Sequence, residues 1–152
     1  MSRIPVVLIA AVVLTLASGC QRSPQSAAGF RLPDGDPIAG RTTFVEMQCH
    51  QCHIIKGETF PVVPEADPPW VTLGGKTTRV HTYGELVTSI INPSHKISRK
   101  YPEDSVSEDG VSKMYVYNDI MTVTQLTDLV AYLQDKYDVV VPQGRYRPYV
   151  TP

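Results

Sequence analysis

Residues 49 to 53 read Cys49-His50-Gln51-Cys52-His53. A Cys-x-x-Cys-His sequence predicts the covalent attachment of c-type haem. Two residues between the cysteines let both sulfurs reach one porphyrin edge and form thioethers with its vinyl groups. The adjacent His53 is then expected beneath the ring, as the proximal ligand of the iron.

A Cys-x-x-Cys pair also occurs in redox-active dithiols and in zinc sites. A zinc site needs further ligands, and the only other cysteine of the chain is Cys20. A dithiol of the thioredoxin kind is expected after a strand of a βαβ unit, whereas the residues on either side of this motif have helical patterns. Haem attachment is therefore the favoured interpretation.

Three segments carry the local signals of helices, and they cover residues 36–47, 83–92 and 123–137. The first signal is Asp36 as N-cap, followed by a proline at the first helical position. The other two are capping boxes, which open at Thr82 and at Thr122. Residues 94–113 are polar and charged, and they predict an exposed loop.

The residues around the motif resemble class I cytochromes c. The resemblance rests on the run from Gly35 to Phe44, on the Cys-x-x-Cys-His sequence that follows, and on residues 126–133. It implies an all-α, cytochrome c-like fold of three main helices and long loops wrapped around one covalently bound haem c. It also implies that the first and last helices cross closely at Gly40, where Tyr132 meets the first helix.

Residues 54–81 are rich in proline and glycine, and they predict an irregular segment on one side of the haem. In the family that the chain resembles, a proline carbonyl in this segment accepts a hydrogen bond from the proximal imidazole. Pro64 and Pro69 are both candidates. Trp70 and Leu73 are expected to pack on the porphyrin, although ordinary core packing explains Trp70 equally well.

The second axial ligand of the iron has several candidates. The candidates are Met114, Met47, Met121, His81 and His95. Met114 matches the position of the distal methionine in class I cytochromes c, in a loop shortly before the last helix, and it is the expected ligand. Met121 ranks second as a ligand, because its position just before Thr122 already suggests a structural role, in a hydrophobic staple with Leu126.

The N-terminal sequence predicts export. Arg3 is followed by an apolar run over residues 4–16, which is shorter than the ~20 residues of a membrane-spanning helix. The sequence Ala17-Ser18-Gly19-Cys20 resembles a bacterial lipobox and implies lipidation of Cys20. The expected division of the chain is an export signal at 1–19, a flexible linker with the lipid anchor at 20–35, the cytochrome c domain at 36–140 and an extended tail at 141–152.

Taken together, these patterns predict an electron-transfer protein rather than an enzyme. We expect a membrane-tethered monohaem cytochrome on the periplasmic side of a bacterial membrane, exchanging single electrons with donor and acceptor proteins. The formal net charge of −1 implies no nucleic-acid partner. The alternatives are a haem enzyme or gas sensor with an open distal site, and a cytochrome subunit docked in a larger oxidoreductase.

Overall fold

The computed structural model describes residues 30–64, 71–79 and 81–140. The chain divides into two units, Met1–Arg31 and Leu32–Pro152, and every element described below belongs to the second unit. Several expectations concern residues outside the described ranges. These are the export signal at 1–19, the lipid on Cys20, most of the linker at 20–35, the packing of Trp70, the candidate Pro69 and the tail at 141–152.

Four α-helices lie in the described part of the chain: α1 Pro37–Glu46, α2 Tyr83–Ile91, α3 Glu103–Val106 and α4 Val123–Gln134. The Asp36 side chain caps α1 by accepting a hydrogen bond from the Ile38 N–H. Complete capping boxes open α2 at Thr82 and α4 at Thr122. The three predicted helices are confirmed, and the short helix α3 was not predicted.

Six short strands are also present among the described residues: β1 His53–Ile55, β2 Val71–Leu73, β3 Gly75–Thr77, β4 Ser107–Glu108, β5 Val111–Ser112 and β6 Tyr137–Val139. They form three two-stranded sheets. β1 is parallel to β2, and His53 lies opposite Val71. β3 is parallel to β6, whereas β4 and β5 form an antiparallel hairpin.

The prediction of an all-α, cytochrome c-like fold with three main helices and long loops is wrong, because these sheets are present. Residues 54–81 are not wholly irregular, because β2 and β3 lie within them, and residues 94–113 contain α3 and the β4–β5 hairpin. Helix α4 ends at Gln134 instead of Tyr137, because residues 137–139 pair with β3. The sequence did not predict these strands for two physical reasons. Strands of two or three residues are too short to show an alternating pattern, and both parallel pairs join segments far apart in sequence.

Helices α1 and α4 cross at very short range. A Cβ atom on Gly40 would lie 2.0 Å from the backbone oxygen of Asp128 and 2.7 Å from the Tyr132 Cβ. Gly35 packs in the same way, 2.1 Å from the Thr127 oxygen by the same measure. The Asp128 side chain also accepts a hydrogen bond of 2.7 Å from the Asp36 N–H. The close crossing expected at Gly40 and Tyr132 is therefore present in the structure.

The hydrophobic core lies between α1, α2 and α4, and it reaches the segment that follows α1. Its buried members are Phe44, Ile55, Leu86, Val87, Ile90, Leu126, Leu129, Val130, Tyr132 and Leu133. The Phe44 ring contacts the Tyr132 ring, with centroids 5.8 Å apart. Within residues 30–64, 71–79 and 81–140, no helix has the length and apolar character needed to cross a membrane.

Candidate functional site

The Cys-x-x-Cys-His segment connects the end of α1 to the start of β1. Gln48 adopts a left-handed backbone conformation, with φ at 56°, and this turns the chain sharply after α1. A single 3-10 turn then covers Cys49–Gln51, and the Cys52 N–H donates to the Cys49 carbonyl over 3.2 Å. The turn places the two cysteines on one short stretch of backbone, directly before His53.

The His53 imidazole is oriented by a backbone carbonyl. Its Nδ1 lies 3.3 Å from the Val71 oxygen. Because a carbonyl only accepts hydrogen bonds, Nδ1 must carry the proton in this contact, which leaves the lone pair on Nε2. Burial lowers the pKa of His53, and the hydrogen bond to Val71 opposes that effect. The side chain is thus a neutral imidazole with a free Nε2, which is the form that binds a metal ion.

Val71 takes the role that the resemblance assigned to a proline carbonyl. Its position is fixed by the pairing of β1 with β2 and by a 2.8 Å hydrogen bond from its own N–H to the Cys52 carbonyl. Pro64 is described but does not make this contact with His53, and Pro69 lies outside the described residues. A backbone carbonyl carries no side-chain signature, so nothing in the sequence singled out Val71.

Both thiols of the motif are free and protonated near neutral pH. Burial raises the pKa of Cys49 to about 11, and it also raises the pKa of the more exposed Cys52. A redox-active dithiol needs an accessible thiolate, and its reactive cysteine has a lowered pKa. These environments therefore disfavour the dithiol interpretation of the motif.

A cavity lies beside this segment and brings several of the predicted ligands together. Its lining is almost entirely apolar and consists of Phe44, Cys49, His53, Leu73, Leu86, Ser89, Ile90, Met114, Tyr117, Met121, Leu129, Leu133 and Tyr137. The cavity volume is about 80 Å3. An apolar cleft with a few polar donors is the usual form of a cofactor site.

The candidate ligands differ in whether they reach this cavity. Cys49, His53, Met114 and Met121 all line it, as does Leu73. Cys52 is exposed and is not part of the lining. The remaining three candidates also lie outside the lining: Met47 caps α1, His81 stacks on the Tyr137 ring at 4.3 Å, and His95 is an exposed residue whose Nδ1 lies 3.0 Å from the Asn92 carbonyl.

The loop that carries both methionines is tied to the helices by two side chains that the sequence did not single out. The Tyr117 hydroxyl donates to the Met47 carbonyl over 2.9 Å. The Asn118 amide donates to the Ile91 carbonyl, also over 2.9 Å. Burial, followed by the nearby Cys49 and Cys52, raises the pKa of Tyr117 to about 12, so its hydroxyl stays protonated and can donate.

An ion network is centred on Glu58, in the loop after β1. The Glu58 carboxylate contacts Arg41 of α1 at 3.0 Å and Lys136, just beyond α4, at 2.7 Å. The hydrogen bond from Lys136, together with that from Arg41, lowers the pKa of Glu58. The network therefore fastens this loop to both of the crossing helices.

The donors at the cavity fit haem c better than they fit a zinc ion. Haem needs an imidazole and a thioether for its iron and two thiols for its attachment, and all of these are present on or beside the lining. A zinc site needs about four Cys, His, Asp or Glu ligands, and no group of even three such side chains is found among the described residues. At about 80 Å3 the cavity is smaller than a porphyrin, so its lining would have to open for haem to be bound.

The chain was also compared with protein-family models, with curated proteins and with solved structures. None of them matches. What the site can do therefore follows from its own residues. These are an oriented imidazole, one thiol and two thioethers that line one apolar cavity, with the exposed Cys52 thiol next to His53 in the chain.

Proposed function

We propose that this chain is a monohaem c-type cytochrome that carries single electrons between redox partner proteins. The observation that carries the proposal is the set of side chains that line one cavity. Cys49 and His53 of the Cys-x-x-Cys-His segment line the same apolar cavity as Met114 and Met121, which come from a loop more than sixty residues later. Cys49 and Cys52 are the proposed attachment residues, and His53 and Met114 are the proposed iron ligands.

Each of these side chains has a definite task in the proposal. His53 presents a neutral Nε2, and the Val71 carbonyl holds the ring in place. Met114 offers a soft, uncharged thioether, which favours ferrous iron relative to a second imidazole. The apolar walls exclude water and thereby raise the potential further. Haem, when bound, supplies a one-electron iron couple.

A site ligated on both sides suits electron transfer, whereas a site with an open position suits gas binding or catalysis. The two thioethers in the cavity lining favour electron transfer, because either of them could close the distal position. A subunit docked in a larger oxidoreductase would use the same ligands. Co-purification of a partner from native membranes in mild detergent separates that arrangement from a free carrier.

The proposal also includes a location, on the periplasmic side of a bacterial membrane. The basis is the sequence pattern alone, an apolar run after Arg3 that ends in Ala17-Ser18-Gly19-Cys20. Lipid on Cys20 would keep the domain close to membrane-bound redox enzymes. Mass spectrometry of the mature N-terminus is the test, and an unmodified cleavage product would remove the anchor from the proposal.

Optical spectra of Met114→Ala, with Met121→Ala as the matched control, test the proposed ligands. Both residues line the cavity, so both variants enlarge it, but only the ligand variant should change the iron. We expect wild type and Met121→Ala to keep the sulfur-to-iron charge-transfer band and to ignore carbon monoxide. Met114→Ala should lose the band and bind the gas.

Other outcomes have equally definite meanings. If Met121→Ala alone loses the band, then Met121 is the ligand. Free binding of carbon monoxide by the wild type would mean an open distal site, and the electron-carrier proposal would then yield to a sensor or an enzyme.

A further inference from the structure

We infer that Tyr117 is the positioning residue of the proposed site, holding the Met114–Met121 loop against the attachment segment. The inference rests on the proposed function for its meaning, since it concerns how the distal methionine is kept in place. Tyr117 itself is not a proposed ligand. It acts through the backbone of the loop that carries the thioethers.

The side chain of Tyr117 connects two parts of the chain that are distant in sequence. Its hydroxyl donates to the carbonyl of Met47, the C-cap residue of α1, two positions before Cys49. The ring lines the cavity. The hydrogen bond therefore joins the distal loop directly to the segment that bears the attachment cysteines.

The backbone of the same residue organises the turn before α4. The Tyr117 carbonyl accepts hydrogen bonds from the N–H groups of Ile120, at 3.0 Å, and Met121, at 2.9 Å. Thr122 follows as the N-cap of α4. Any displacement of Tyr117 is therefore transmitted to Met121 and to the start of the last helix.

The upstream end of the loop is fixed separately. Ser112 belongs to β5, and its hydroxyl accepts a hydrogen bond from the Met114 N–H at 3.2 Å. The Ser112 N–H is in turn bound to the Ser94 hydroxyl at 3.0 Å. Because the upstream end of the loop is held, the position of its centre depends on two side-chain hydrogen bonds, from Tyr117 to the Met47 carbonyl and from Asn118 to the Ile91 carbonyl. Only the first of these joins the loop to the attachment segment.

Tyr117→Phe removes this hydrogen bond and keeps the ring. Tyr115→Phe is the matched control, because Tyr115 is a largely exposed neighbour whose ring packs against Tyr117 at 4.9 Å. Losing one neutral hydrogen bond should raise the population of the open loop roughly three- to tenfold. Apparent affinity scales with the competent fraction, so carbon monoxide should bind ferrous Tyr117→Phe about three- to tenfold more tightly than wild type.

Amide hydrogen exchange supplies a readout that does not depend on the iron. In Tyr117→Phe, the Ile120 and Met121 amides should exchange about three- to tenfold faster, whereas the amide of Val130, in the buried centre of α4, should not change. Tyr115→Phe should leave all three rates at the wild-type values. The measurement is made on the purified full chain.

Two results would overturn the inference. One is unchanged exchange at Ile120 and Met121 in Tyr117→Phe. The other is an equal acceleration at Val130, because Tyr117 would then contribute to global stability only. A wild-type chain that carries no haem would refute the proposed function, while the exchange rates would still decide whether Tyr117 holds the loop.

Discussion

Replacing Gly40 with alanine tests the closest contact in the fold, the crossing of α1 and α4. A Cβ atom at this position would lie 2.0 Å from the Asp128 oxygen and 2.5 Å from the Asp128 carbonyl carbon. Both are backbone atoms of α4 and cannot rotate away. The helices must therefore separate by roughly 1.5 Å to restore an ordinary contact of ~3.5 Å.

Two opposing effects decide the sign of the change in stability. Alanine favours a helix over glycine by up to ~1 kcal/mol. Overpacking a close contact costs about 1–3 kcal/mol and occasionally more. Separating α1 from α4 also loosens the buried pair of Phe44 and Tyr132. We expect the steric effect to dominate and Gly40→Ala to lower the free energy of unfolding by about 1–2 kcal/mol.

Gly84→Ala provides the matched control, because Gly84 is a glycine in α2 at which an added Cβ atom would meet nothing within 4 Å. That variant should be as stable as wild type or more stable by up to ~1 kcal/mol. Urea unfolding followed by circular dichroism measures both. If Gly40→Ala were as stable as Gly84→Ala, the crossing of α1 and α4 would not be as close as described.

Two further substitutions test individual contacts. Glu58→Gln removes the carboxylate that pairs with Lys136 and Arg41. Those partners lower the pKa of Glu58 in the folded protein. The stability that the carboxylate adds is therefore present above about pH 4.3, the pKa of an unperturbed Glu, and is lost as the pH falls through the folded pKa. In urea titrations, the variant should be less stable than wild type by about 1 kcal/mol at pH 7 and nearly equal to it at the most acidic pH, and a pH-independent difference would contradict the ion network. Thr122→Ala removes the side chain that caps α4, and it should lower the free energy of unfolding by about 1 kcal/mol in the same assay. Thr124→Ala, at an exposed position of α4 without a capping role, should change stability little. Equal losses of stability in the two variants would refute the capping box.

The helices were predictable because their signals are local. Asp36, Thr82 and Thr122 each have a side-chain oxygen that satisfies a free N–H at a helix start, and such a pattern can be seen within four residues. The close crossing at Gly40 was anticipated from the family resemblance. Its physical basis is a glycine that faces the backbone of another helix.

The strands of the two parallel pairs were not predictable, for a reason that is equally physical. His53 pairs opposite Val71, and Gly75 opposite Tyr137, so in both parallel pairs the partner strand lies far along the chain. Three residues cannot establish an alternating pattern, and parallel pairing depends on where the intervening chain folds. The resemblance to an all-α family gave the wrong expectation for these segments.

Part of the predicted residue set comes together in the structure, whereas the supporting contacts were not predicted. Cys49, His53 and Met114 were identified from their spacing and from the family resemblance, and all three line one cavity. The Val71 carbonyl and the Tyr117 hydroxyl were missed. A carbonyl has no sequence signature, and a loop tyrosine is not distinguished from its neighbours until the chain is folded.

The most direct test of the central claim is the intact mass of the purified chain under denaturing conditions. The protein should be produced together with a c-type haem maturation system, beside a double variant Cys49→Ser and Cys52→Ser. The proposal predicts that one haem stays bound to the unfolded wild type, since thioethers survive denaturation, and that the double variant carries no attached haem. A wild-type chain whose mass is that of the polypeptide alone would contradict the assignment of Cys49-His50-Gln51-Cys52-His53 as a haem attachment site.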